Sequence, residues 1–139
     1  MSFEIVDNNS CLKIEPIKLM FPDSESERDR NMILAQIVIR VGGFQGNYNA
    51  EIMTTDFEQF KQELSWLYND LKGSATFNCI ERYLTMIVVG DGLGHFTVDC
   101  IAVDTPGIYG NELRFQMHFD QTQINGLVSQ LDLITKGYK

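Results

Sequence analysis

A chain of 139 residues that is 44% hydrophobic and 11% aromatic, with only 3 prolines, can bury about two thirds of its unfolded surface and is too apolar to stay disordered. Its 19 acidic against 11 basic side chains leave a formal charge of -8, a field that repels phosphate backbones and anionic lipid and argues against direct nucleic-acid or membrane-surface binding. The start Met1-Ser2-Phe3-Glu4 carries no basic then apolar leader, and three cysteines without a CxxC pair leave one over from any disulfide. A single domain over residues 1–139 in the reducing cytoplasm is therefore expected.

The first patterned stretch changes phase within itself. Leu12 and Ile14 share one parity and Ile17, Leu19 and Phe21 the other, with Glu15 and Pro16 between them, which predicts a bulged or edge strand. Pro22 to Arg30 follows, setting Asp23, Glu25, Glu27 and Asp29 beside Arg28 and Arg30; it reads as one exposed, mixed-charge loop held by its arginines. Residues 31–41 are β-branched and place Ile33, Ala35, Ile37, Ile39 and Val41 on one face, the clearest strand in the chain. Gly42-Gly43 supplies a turn, and the next run sets Tyr48, Ala50 and Ile52 opposite Asn47, Asn49 and Glu51, completing a hairpin with one wet face.

Thr55-Asp56-Phe57-Glu58 has the form of a capping box. Phe57, Phe60, Leu64, Leu67, Tyr68 and Leu71 then recur at helical spacing, and Lys72-Gly73 stops the run, so an amphipathic helix is expected over about 56–72. Strand candidates follow near 75–80, 83–90, 95–103 and 112–119, and their short connections imply antiparallel pairing. In the last of them Leu113, Phe115, Met117 and Phe119 alternate with Arg114, Gln116 and His118. Asp120-Gln121-Thr122-Gln123 repeats the cap pattern and opens a C-terminal helix with Ile124, Leu127, Val128, Leu131 and Ile134 on one side, ending at Lys136-Gly137. Gly126 within it costs about 1 kcal/mol relative to alanine, so this helix depends on packing. No repeat is visible in the sequence.

Catalytic chemistry finds little to work with. His95 and His118, the only histidines, have no Cys, Asp or Glu at the spacings of zinc sites. Cys79 shares parity with Ala75 and Phe77, and Cys100 with Phe96 and Val98, the pattern of core thiols. Asp104-Thr105-Pro106-Gly107 copies a GTPase tetrapeptide but no phosphate-cradling loop accompanies it, so it reads as a turn. Gly90, Gly92 and Gly94 lack dinucleotide-binding spacing and precede a strand. Asp99 and Asp104 remain the least bland carboxylates, and a hydrolase would need His95, Cys100 and Asp99 brought together. Neither a catalytic residue nor a cofactor is assigned.

The order Gly43-Phe44-Gln45-Gly46, Thr55-Asp56-Phe57-Glu58, Leu71-Lys72-Gly73-Ser74-Ala75, Gly94-His95-Phe96 and Phe119-Asp120-Gln121-Thr122 resembles the WapI-like immunity protein family over roughly residues 31–136. The resemblance implies a cytoplasmic antidote that binds and neutralises the C-terminal domain of a cognate toxin, typically a nuclease, by protein–protein contact. It implies no catalytic residues. An acidic surface suits that role, because a nuclease site built to attract phosphate also attracts carboxylates. The candidate partner-binding residues are Asp23, Glu25, Glu27 and Asp29 of the acidic loop, with Asn47, Asn49 and Glu51 of the wet strand face. The expected fold is α+β: a twisted, half-barrel-like antiparallel sheet of seven or eight strands packed on a central helix, with the C-terminal helix beside it. The competing reading is a small-molecule-binding half-barrel without catalytic activity, its cavity lined by Phe96, Phe115, Tyr48 or Trp66.

Overall fold

The computed structural model describes residues 1–138. Two antiparallel four-stranded meanders each run into a long helix. The first comprises β1 (Phe3–Asp7), β2 (Ser10–Leu19), the short helix α1 (Glu27–Arg30), β3 (Met32–Val41) and β4 (Phe44–Met53), and leads into α2 (Thr54–Asp70). The second comprises β5 (Lys72–Asn78), β6 (Leu84–Asp91), β7 (His95–Val103) and β8 (Glu112–Asp120), and leads into α3 (Gln121–Gly137). The α+β class, the eight strands and the two long helices agree with the sequence expectation. The strands divide into two sheets, and the fourfold-strand-then-helix order occurs twice although the sequence shows no repeat.

Each sheet buries one face, as its alternation dictates. Ile33, Ala35, Ile37 and Ile39 of β3 are buried, as are Met117 and Phe119 of β8. The phase switch in β2 is a bulge between Pro16 and Lys18. Register with β3 resumes at Lys18, leaving Ile17 as the extra, exposed residue. Pro16 has no N–H to offer, and β1 has already ended there, since its pairing stops at Ile14. The β1 strand itself and the α1 turn, capped by Ser26 on the N–H of Asp29, were not foreseen within the segments they occupy.

The helix α2 begins before the Thr55 cap that its sequence suggests. Met53 is the N-cap and Asp56 accepts its N–H at 2.9 Å. The reason is tertiary: the N–H of Thr54 donates to the Asn31 carbonyl at the start of β3 (2.9 Å), so the end of the hairpin decides where the helix can start. The other end is displaced too. Leu71 adopts φ 62°, closing the helix on the Leu67 carbonyl, and Lys72-Gly73 already belongs to β5. The carbonyl of Leu71 is held by the N–H of Gly92 (2.9 Å), and it sits so close to Gly90 that a Cβ there would strike it.

Phe57, Phe60, Leu64 and Leu67 are buried on one side of α2, while Tyr68 lies outside the stripe. Phe60 stands edge-on to Phe3 of β1 at 5.7 Å between centroids and to Phe77 of β5 at 5.6 Å, so one ring joins the two sheets. The cap of α3 is as its sequence suggests, with Asp120 accepting from Thr122 N–H (2.9 Å) and Gln123 accepting from Asp120 N–H (3.1 Å).

Candidate partner-binding surface

The carboxylates of Asp23, Glu25, Glu27 and Asp29 are all exposed, and no ion pair among the described residues includes them. Arg30 does hold the loop, but through backbone: its guanidinium donates to the carbonyls of Ser24 (2.8 Å) and Glu25 (3.0 Å). Arg30 thus shapes the loop without pairing with its carboxylates, and the four negative side chains face solvent without an ion-pair partner among the described residues.

Asn47 and Asn49 are exposed and Glu51 half-buried on β4, an edge strand of the first sheet. Register places Glu51 opposite Leu34, near the end of β3 that the acidic loop enters, and Asn47 opposite Val38. Four residues of strand separate Glu51 from Asn47, about 13 Å at the usual rise. The seven candidate residues thus form two groups. The acidic loop and Glu51 share one end of the sheet, Asn49 lies between, and Asn47 accepts from Gln36 (2.8 Å) at the approach to a different feature.

That feature is a cleft of about 230 Å³ where the far end of the β3–β4 hairpin meets the start of β8. Ile39, Tyr48, Ala102 and Leu113 supply its apolar lining, and Gln45, Asn47, Asp104, Asn111 and Glu112 its polar rim. The hydroxyl of Tyr48 donates to the Tyr83 carbonyl at 2.6 Å, tying β4 to the second sheet, and burial pushes that phenol well above its ordinary range.

One side of the cleft is walled by the β7–β8 connection, which is clasped at its base. Asp104 accepts from the backbone N–H (2.8 Å) and the side-chain amide (3.0 Å) of Asn111, and its own N–H donates to the Asn111 carbonyl (3.2 Å). The Asn111 hydrogen bonds hold the Asp104 carboxyl below the usual carboxylate range. Gly110 lies so tightly against the Thr105 carbonyl that a side chain could not be placed there. This closed base lifts Ile108 and Tyr109 into solvent, 93% and 96% exposed. Phe44 at the hairpin end is 67% exposed. The sequence signal for the loop tip was present in Gly107-Ile108-Tyr109-Gly110, two apolar residues stranded between glycines, but the turn reading stopped at Gly107 and gave them no role.

The residues proposed for a ligand cavity do not converge. Phe96 is buried and stacked on Phe119 at 5.3 Å, Trp66 stands exposed on α2, and only Tyr48 reaches the cleft. Its volume also falls below the roughly 300–1,000 Å³ of drug-sized ligand sites.

The hydrolase set is dispersed by strand alternation. Cys100 points into the core while Asp99 and His95 face out. Asp99 accepts from Gln116 (2.9 Å), His95 contacts Asp91 (3.2 Å), and the backbone N–H of His118 donates to Asp7 (2.8 Å). Burial raises the thiols of Cys79 and Cys100 to about 12, which keeps them protonated. No cluster of three or more His, Cys, Asp or Glu that could hold a metal exists among the described residues, and no helix among them is long and apolar enough to cross a membrane.

The immunity protein WapI-like family matches residues 3–139. Among solved structures, the chain is similar to the plant transcriptional regulator PBF-2, at 13% identity over 99% of this chain and 81% of that one with a TM-score of 0.57. It is similar also to WHY1 from Arabidopsis thaliana, at 11% identity over 99% and 84% with a TM-score of 0.57. At these identities the likeness concerns the fold alone. The CdiA-CT/CdiI toxin and immunity complex from Enterobacter cloacae aligns at 9% identity over 96% and 98%, but its TM-score of 0.45 gives it no weight. A comparison with curated proteins finds no match.

Proposed function

The chain belongs to the immunity protein WapI-like family, and on that premise we propose that it acts as a single domain over residues 1–139 which binds a cognate toxin domain in the cytoplasm and neutralises it by occupancy, without turnover. The observation that carries this reading is the family match over nearly the whole chain. A second consideration gives the toxin its chemistry. A net charge of -8 and four unpaired, exposed carboxylates on one loop suit a basic target, and a nuclease groove that binds phosphate is such a target. Asp23, Glu25, Glu27 and Asp29, with Glu51 beside them and Asn47 and Asn49 along the edge strand, form the proposed contact surface. Their part is to steer the partner and set the register of the complex, since exposed charges contribute more to association rate and specificity than to affinity.

The test is co-expression with the toxin domain encoded by the neighbouring gene. Protection of the cell, co-elution of a one-to-one complex and loss of nucleic-acid cleavage by the purified toxin are expected. A toxin that still kills, or that elutes alone, refutes the proposal.

A further inference from the structure

The acidic loop accounts for steering but offers no apolar anchor. Affinity in protein interfaces concentrates in a few well-packed anchors, with tryptophan, tyrosine and arginine foremost, and Asp23 to Asp29 contains no aromatic or aliphatic side chain. The cleft at the other end of the first sheet supplies what that loop lacks. Ile108 and Tyr109 are almost wholly exposed, yet they sit on a loop closed by Asp104 and Asn111 and constrained at Gly110. A pre-shaped loop loses little further freedom on binding, and tyrosine provides a large contact area with few rotatable bonds. Beside it lies a cleft with Ile39, Ala102 and Leu113 in its apolar lining and Asp104 and Glu112 on its rim.

Resting on the proposed function, we infer that this cleft and the Ile108-Tyr109 tip form the anchor of the toxin interface. The occupant is a toxin segment that inserts an apolar side chain into the cleft, packs against Tyr109 and carries an adjacent arginine or lysine toward Asp104 and Glu112. Charge selects this occupant over a second copy of the chain. Two molecules of charge -8 repel, whereas a cationic segment is attracted to a rim on which Arg114, paired with Glu112 at 2.7 Å, offsets only one of two carboxylates. Asn47 borders both the cleft and the edge strand, so anchor and steering surface adjoin along β4.

The experiment measures binding of the purified neighbouring-gene toxin domain to the unaltered chain and to Tyr109→Ala, Ile108→Ser and Leu93→Ser. Leu93, 81% exposed on the β6–β7 turn, controls for loss of any exposed apolar group. Tyr109→Ala should raise Kd about 30-fold or more, the scale of an interface hot spot, with Ile108→Ser in the same direction and Leu93→Ser within about threefold. Thermal unfolding of all three should match the unaltered chain, since each side chain stands in solvent. If Tyr109→Ala and Ile108→Ser both bind within about threefold of the unaltered chain, the anchor is refuted while the immunity reading stands. If the unaltered chain does not bind at all, the immunity reading fails and the anchor with it. Sedimentation of the chain alone should give a monomer; a dimer that Tyr109→Ala dissociates would make a second copy the occupant and overturn the inference.

Discussion

Replacing Phe60 by alanine tests the claim that its ring, packed against both sheets, is a principal join between them. The side chain is fully buried and meets Phe3 and Phe77 edge-on at 5.7 and 5.6 Å. Truncating a buried phenylalanine costs about 3–5 kcal/mol, and the loss of two oriented aromatic pairs, each about 0.5–1.5 kcal/mol beyond burial, places this site toward the upper end. A domain of this size unfolds with about 0.3 kcal/mol/K of entropy, so about 4–5 kcal/mol lowers Tm by roughly 15 °C. Thermal unfolding followed by far-ultraviolet circular dichroism measures it, with Trp66→Ala, exposed on the same helix, expected within about 0.5 kcal/mol. Phe60→Leu should recover part of the loss. A Tm decrease below about 4 °C for Phe60→Ala, about 1 kcal/mol, would mean that the sheets are joined by other contacts and would refute the reasoning.

Gly126 lies in the middle of α3, and a Cβ there meets nothing within 4 Å, so Gly126→Ala should raise stability by about 0.5–1 kcal/mol, seen as a higher urea midpoint at unchanged m. Asp91, Asp104, Asp120 and Asp132 all have carboxyls held below the ordinary value of 3.8, by the Leu93 N–H, the Asn111 amide, the Thr122 hydroxyl and the Lys136 ammonium respectively. Their contribution is fully present above that value and is lost as pH falls through it toward the lowered values, so Tm should drop on acidification below about pH 4. The drop should be smaller in Asp104→Asn; an equal drop would show that the clasp plays no part. Thiol labelling under native conditions should modify half-buried Cys11 first, while Cys79 and Cys100, buried and raised to about 12, should react only on unfolding. Equal rates for all three would contradict the packing.

The faces of β3, β4 and β8 could be read from the chain because side-chain direction in a strand is a matter of parity, and the Asp120 cap because its hydrogen bonds span only two or three residues. The phase switch around Pro16 announced the β2 bulge for the same local reason. The acidic loop was equally legible, since its exposure follows from charge density. The family resemblance, carried by turns and caps, reached toward function from residues whose spacing is local.

Contacts between residues far apart in sequence settled the rest. The Thr54 N–H on the Asn31 carbonyl and the Gly92 N–H on the Leu71 carbonyl moved both ends of α2, because a backbone partner supplied by another element outweighs a weak local preference. Division of eight strands into two sheets, with Phe60 joining them, depends on which buried faces meet, and alternation is silent on that. Ile108 and Tyr109 are apolar residues left in water, and hydrophobicity alone would place them inside. Only the closed base formed by Asp104, Asn111 and Gly110 holds them out beside the cleft. The chain by itself determined which residues face inward and that the surface is acidic; the tertiary structure decided that Ile108 and Tyr109 stand exposed beside a cleft, because the cleft is built from segments about 60 residues apart in the chain, a separation that parity and capping signals do not span.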